Sequence, residues 1–181
     1  SLAALVEGII TPDTTVISSG GIRVGQWFFP DWKAGGHGMT NVRRAIAWSV
    51  NTFYYYIGGG YGDFHGMGVD KLGVWLKTFG LHAKSGIDLS GEGSGFVPTK
   101  DWRESRGGRW YIGDTYNLSI GQGDLLVTPL QVNSYTMAIA NKGVWYEPKL
   151  VRGKTTPRES IKAQPALFET VRAGMRDGVV F

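Results

Sequence analysis

Ser49-Val50-Asn51 sets a hydroxyl and a carboxamide two residues apart, between two apolar, aromatic-rich segments at residues 42–48 and 52–57. Held at a junction between helices, such a pair presents both groups to one point in a cleft. A hydroxyl there relays a proton, and an amide orients a substrate amide. Serine and asparagine are also ordinary caps and turn formers, so the tripeptide needs support from elsewhere. That support is a second stretch: Gly113-Asp114-Thr115, then Asn117-Leu118-Ser119-Ile120-Gly121-Gln122-Gly123, then Thr128-Pro129-Leu130-Gln131. Its glycines suit a loop that passes close under a cleft. Gln122 in that loop is a candidate substrate contact, although a structural, supporting role is the reading that comes first for it.

The elements that must hold these residues follow from pattern. Leu2, Leu5 and Val6 give a short helical face, stopped by Gly8 and Pro12. Residues 14–17 and 22–29 are β-branched and aromatic, and Ser18-Ser19-Gly20-Gly21 between them predicts a hairpin. A glycine-rich loop at 30–38 leads to a helix over 41–48, the Ser49-Val50-Asn51 turn, and a second helix from about residue 52 that the glycines at 58–60 end. Phe53, Tyr54, Tyr55 and Tyr56 alternate around that helix and are read mostly as core.

Val69, Leu72, Trp75, Leu76 and Phe79 form one stripe, closed by Gly80, and predict a core helix. Residues 85–99 read as surface loop and 101–106 as a helical turn. Thr128 as cap and Pro129 at the first position open a helix to about residue 141. Its Leu130, Val132, Tyr135, Met137 and Ile139 occupy more than one face, which predicts burial on several sides. A strand over 144–151, a polar link, a helix over 165–176 with Phe168, Val171 and Met175 inward, and a β-like ending at Gly178-Val179-Val180-Phe181 complete the reading.

At 181 residues and 42% hydrophobic, the chain can bury the core of one domain or most of one. It has no cysteine, hence no disulfide framework and no thiolate site. The net charge of +4 comes from Lys and Arg scattered among acids, which argues against nucleic acid as a partner. No apolar run is long enough to span a bilayer, and the first residues lack the basic start of a signal peptide. Any membrane anchor is therefore expected outside these residues.

Five motifs occur in an order that resembles one family. Asp31-Trp32-Lys33 with Gly36-His37-Gly38, Ser49-Val50-Asn51, Gly86-Ile87-Asp88-Leu89, Trp110-Tyr111 with Gly113-Asp114-Thr115, and Ser119-Ile120-Gly121-Gln122-Gly123 resemble the transpeptidase domain of class B penicillin-binding proteins of the penicillin-binding protein 2 type. The likeness covers nearly the whole chain, residues 1–181 as one incomplete transpeptidase domain. It implies an α+β architecture, the penicillin-binding transpeptidase or serine β-lactamase-like fold, with helices packed on an antiparallel sheet and a large helical share here. The implied activity is a serine-type D,D-transpeptidase that cross-links peptidoglycan stem peptides through an acyl-enzyme and is acylated by β-lactams. Elongation-type cell-wall synthesis proteins as partners, the extracytoplasmic face of the cell membrane as location, and the absence of a cofactor are implied likewise.

The family uses Ser-x-x-Lys, Ser-x-Asn and Lys-Thr-Gly. By resemblance Ser49 is the proton relay and Asn51 the orienting amide, and both contact substrate. Ser1-Leu2-Ala3-Ala4 has Ala4 where the lysine must be, and Lys154-Thr155-Thr156 has a threonine where the glycine must be. The chain is thus expected to be an interior piece, unable to catalyse the reaction alone. A non-catalytic β-lactam sensor or cell-wall scaffold on the same fold is the alternative.

Asp31 and His37 stand where some relatives bind zinc together with a second Asp and a Cys. Val50 holds the Cys position and Ser18 the second Asp position, and two ligands do not close a tetrahedral site. No metal is expected, and His37 is expected to hydrogen-bond within its loop. Asp88, Glu92, Asp101 and Asp114 could be paired as glycosidase carboxylates, but caps of turns and helix starts are the reading their positions favour. His65 and His82 read as surface residues.

Overall fold

The computed structural model describes residues 1–157 and 160–180. Helix α1 (Leu2–Val6) is followed by four short strands, β1 (Thr15–Ser18), β2 (Gly21–Val24), β3 (Trp27–Pro30) and β4 (Gly38–Asn41). The rest is helical: α2 (Val42–Trp48), α3 (Asn51–Gly59), α4 (Gly68–Thr78), α5 (Lys100–Ser105), α6 (Ile112–Ser119), α7 (Pro129–Ala140) and α8 (Pro165–Val180). The strands form two separate antiparallel pairs, which gives the helix-rich α+β class expected from the sequence.

The hairpin expected between residues 14–17 and 22–29 does not form. β1 pairs with β4, with Val16 opposite Thr40, while β2 pairs with β3 across Gly25 and Gln26. Gly25 has φ 59, as the first central residue of a two-residue hairpin loop requires. The stretch 22–29 therefore folds on itself, and β1 reaches past it to β4. Gly36 seals the arrangement at φ 77: a Cβ there would stand 2.2 Å from the Ser18 carbonyl oxygen. The 31–37 loop is thereby laid against the end of β1.

Two helix crossings then fix the centre. The Asn41 side chain caps α2 by accepting the Arg44 N–H at 3.0 Å. Helix α8 crosses α2 at Gly174, where a Cβ would meet the Arg43 carbonyl oxygen at 2.9 Å, and Arg43 pairs with Asp177 through Nη2–Oδ1 at 2.8 Å. On the other side α6 packs on the glycines of α3: Gly58 faces Ser119 and Gly59 faces the Tyr116 ring. The main core gathers Val42, Val50, Phe53 and Phe168, all essentially without solvent exposure, around these crossings.

Helix α6 was not foreseen in the sequence, although Asp114 marks its start by accepting the Tyr111 N–H at 2.8 Å. Helix α7 begins where Thr128-Pro129 predicts, with Thr128 and Gln131 forming a capping box. Its fully buried face is Gln131, Ser134, Ala138 and Ile139, with Tyr135 and Met137 partly buried against the core and Val132 exposed, so the burial expected on several sides is corrected to one face. The strand expected over 144–151 reduces to an isolated bridge between Tyr146 and Pro157, for Pro148 has no N–H to give a ladder. Gly178, Val179 and Val180 continue α8 instead of turning β-like, while Phe181 and, in the polar link, Arg158 and Glu159 lie outside the described residues.

Candidate active site

The Ser49-Val50-Asn51 turn joins α2 to α3. Ser49 caps α2 at φ 53, ψ 50, a left-handed conformation that few residues other than glycine adopt. Its N–H donates to the Ile46 carbonyl and that of Val50 to the Ala45 carbonyl. Val50 then extends at φ −77, ψ 102 before α3 begins. Val50 is fully buried, whereas Ser49 is exposed and Asn51 half-buried. The apolar middle residue anchors the turn in the core, which leaves the two polar side chains at the surface of a cleft.

That cleft, of ≈ 970 Å³, is lined by Ser49 and Asn51 together with Trp32, Lys33 and Trp48 and with Ile120 and Gln122 of the loop after α6. All three site residues expected from the sequence are thus brought to one place. Arg103 braces the far wall by donating to Asp114 Oδ1 at 3.2 Å and Asp124 Oδ2 at 2.7 Å, which ties α5 to α6 and to the loop carrying Gln122. The Tyr55 hydroxyl donates to the Pro30 carbonyl at 3.0 Å. Burial and then the Asp31 charge push that hydroxyl up, against a lowering hydrogen bond with the Asn51 side chain.

Asp31 lies directly behind the turn, with its side chain out of contact with solvent. Oδ1 accepts the N–H of Trp32 at 2.9 Å and of Asn51 at 3.3 Å. Oδ2 accepts the Thr52 N–H at 3.0 Å, the Thr52 hydroxyl at 2.7 Å and the Ser18 hydroxyl at 3.1 Å. Burial pushes this carboxyl up, but the hydrogen bonds from Thr52, Ser18 and Trp32 outweigh it and hold it below its ordinary value. Since Val50 has no side-chain donor or acceptor, Asp31 caps α3 from a distance in sequence.

These residues do not fit zinc. Both Asp31 oxygens are occupied by N–H and O–H donors, Ser18 spends its hydroxyl on Asp31, and Val50 is a buried hydrocarbon. His37 stands 3.7 Å from Asp31 through Nε2, with its ring between Trp32 and Trp48. Its backbone N–H bonds to Ser18 at the end of β1, not within the loop as expected, and ring Nε2 has no hydrogen-bond partner.

The candidate glycosidase carboxylates serve local ends. Asp88 accepts the Leu150 N–H at 2.7 Å, Glu92 takes the N–H groups of Ser85 and Gly86, Asp101 lies in the first turn of α5, and Asp114 belongs to α6. His65 and His82 are exposed. Sequence reasoning missed Thr52 and Ser18 as partners of Asp31; the one local signal was a polar residue following Asn51 in an otherwise apolar helix.

Comparison with known proteins is consistent with this geometry. A family model described as the penicillin binding protein transpeptidase domain matches residues 1–180. The peptidoglycan D,D-transpeptidase MrdA of Haemophilus influenzae is 36% identical over 84% of this chain and 23% of its own length. The penicillin-binding protein PBP2 of Helicobacter pylori superposes with a TM-score of 0.87 at 33% identity, over 99% of this chain and 35% of that one. The same protein in its complex with MreC gives 0.86 at 34% identity, over 97% and 32%. The chain thus spans about a quarter of the length of the curated relatives it matches.

Proposed function

We propose, because this chain belongs to the penicillin-binding protein transpeptidase family, that it is part of a peptidoglycan D,D-transpeptidase that cross-links stem peptides by serine acyl transfer and is acylated by β-lactams. The observation that carries the reading is the meeting of Ser49, Asn51 and Gln122 in one cleft. Acyl transfer needs an activated serine and a path for its proton. In this reading the Ser49 hydroxyl accepts that proton and delivers it to the departing amine. The Asn51 carboxamide holds the substrate amide in line, and Gln122 meets the substrate from the other wall.

The 181 residues contain no Ser-x-x-Lys and no Lys-Thr-Gly. The activity is therefore assigned to the protein as a whole, and to these residues the relay, the orienting amide and the cleft walls. An elongation-type cell-wall synthesis protein as partner is supported by the Helicobacter pylori relative, solved in complex with MreC. The extracytoplasmic face of the cell membrane is the location that substrate demands. Among the described residues no helix is long and apolar enough to cross a membrane.

The test is the intact mass of the full-length protein before and after incubation with a labelled penicillin. One covalent adduct is expected, forming roughly 100-fold or more slowly in Ser49→Ala. Absence of any adduct in the unaltered protein overturns the reading.

A further inference from the structure

The Ser49-Val50-Asn51 turn is gripped on both flanks by two consecutive residues of the loop before β4. On the near side the Trp32 indole N–H donates to the Trp48 carbonyl at 2.9 Å, one residue before Ser49. On the far side the Asp31 carboxylate accepts the N–H groups of Asn51 and Thr52 at 3.3 and 3.0 Å. The Trp32 backbone N–H donates to Asp31 Oδ1 at 2.9 Å, so the two halves of the grip are coupled. Ser49 sits in its uncommon left-handed conformation between them.

A lone carboxylate behind a helix start needs further donors to stay ionised out of water. They come from the hydroxyls of Thr52 at 2.7 Å and Ser18 at 3.1 Å. Ser18 is itself fixed, since it accepts the His37 N–H at 3.2 Å and its backbone lies under Gly36. Strand β1, the glycine loop and α3 thus converge on one carboxylate. We infer that Asp31, held in place by the Ser18 and Thr52 hydroxyls, is the positioning residue of the Ser49–Asn51 turn, with Trp32 completing the grip.

This role rests on the transpeptidase reading, because what it positions is the relay serine and the orienting amide. It assigns Asp31 no contact with substrate. The carboxylate fixes the backbone from which Asn51 projects, and the indole fixes the carbonyl before Ser49. A small displacement of either side chain from the reacting bond lowers the rate without emptying the cleft.

The experiment uses the full-length protein, unaltered and as Thr52→Val, Thr52→Ser and Ser18→Ala. Hydrogen exchange over residues 49–52 reads the grip directly, and acylation by a fluorescent penicillin reads its consequence. In Thr52→Val, exchange at Asn51 and Thr52 is expected to quicken about tenfold. The first-order acylation rate is expected to fall about tenfold, with the affinity of the preceding non-covalent complex little changed. Thr52→Ser restores both, and Ser18→Ala gives a smaller change of the same sign if Thr52→Val does not fold.

Metal analysis after dialysis against zinc and then buffer is expected to find none tightly held. One zinc per chain that Asp31→Asn abolishes overturns the inference. So does a Thr52→Val protein whose exchange and acylation match the unaltered one. A protein that takes no penicillin at all sinks the transpeptidase reading instead, and the exchange measurement still decides the grip.

Discussion

Gly58 of α3 lies so close to Ser119 of α6 that a Cβ on the glycine would stand 2.3 Å from the serine Cβ. Contacts that short do not occur, so the two helices approach only because position 58 has no side chain. The loop carrying Ile120 and Gln122 leaves α6 directly after Ser119, and the cleft wall is therefore set by this crossing.

Gly58→Ala should destabilise the protein by about 1–3 kcal/mol through overpacking, although alanine is the better helix former. Gly73 of α4 supplies the contrast, since a Cβ there would meet nothing within 4 Å. Gly73→Ala should stabilise by about 0.5–1 kcal/mol. Urea denaturation of both variants separates the effects: equal shifts of one sign would remove the packing argument.

Ser49 combines a chemical group with an unusual backbone, and two substitutions divide them. Ser49→Gly keeps the turn and relieves the left-handed conformation at φ 53, so its stability should stay within about 1 kcal/mol of the parent. Ser49→Ala keeps the conformational cost and should be the less stable of the two. Both lack the hydroxyl and should lose about 100-fold or more in acylation rate. Full activity in Ser49→Gly would show that the turn matters and the relay does not.

The Asp31 carboxyl is held below its ordinary value of 3.8, so the folded protein binds this proton less tightly than the unfolded chain. The stability it contributes is complete above that value and is lost as pH falls through the lower, folded one. His37 Nε2 stands 3.7 Å away, and the Tyr55 hydroxyl is close enough to feel the Asp31 charge. Asp31→Asn should accordingly be less stable than the parent at pH 7, with the gap narrowing below about pH 4. Chemical denaturation at pH 7 and pH 3 checks this, and a gap that widens in acid contradicts it.

What was legible in the sequence was local. Thr128-Pro129 sets the start of α7 by cap chemistry that needs no tertiary partner, and the Ser49 turn follows from the residues that end one helix and start the next. Pairings that depend on distant residues were not legible. β1 finds β4 only because the segment between them folds into its own hairpin, and a run of apolar residues carries no record of its partner. Asp31 shows the same limit within the site. By resemblance it was only a weak metal candidate, whereas its use as a distant cap appears only when β1, the glycine loop and α3 are brought together.

Gln131 is a buried polar side chain with all its partners on the backbone. It is 2% exposed, and its amide nitrogen faces the carbonyls of Gly80, Ala83 and Ser94 at 3.1, 2.9 and 2.8 Å, while its oxygen accepts the Thr128 N–H at 2.9 Å. One amide thus ties the start of α7 to the end of α4 and to the 85–99 loop. Gln131→Glu keeps the shape but turns the donor into an acceptor against three acceptors. An ionised carboxylate there should cost about 3–5 kcal/mol, as an unpaired buried charge does. Because the folded state then favours the protonated form, the new carboxyl is raised, and the deficit against the parent should shrink as pH falls toward about 4. Denaturation at pH 7 and pH 4 measures both parts. A deficit independent of pH would mean that lost hydrogen bonds, and not the buried charge, set the cost.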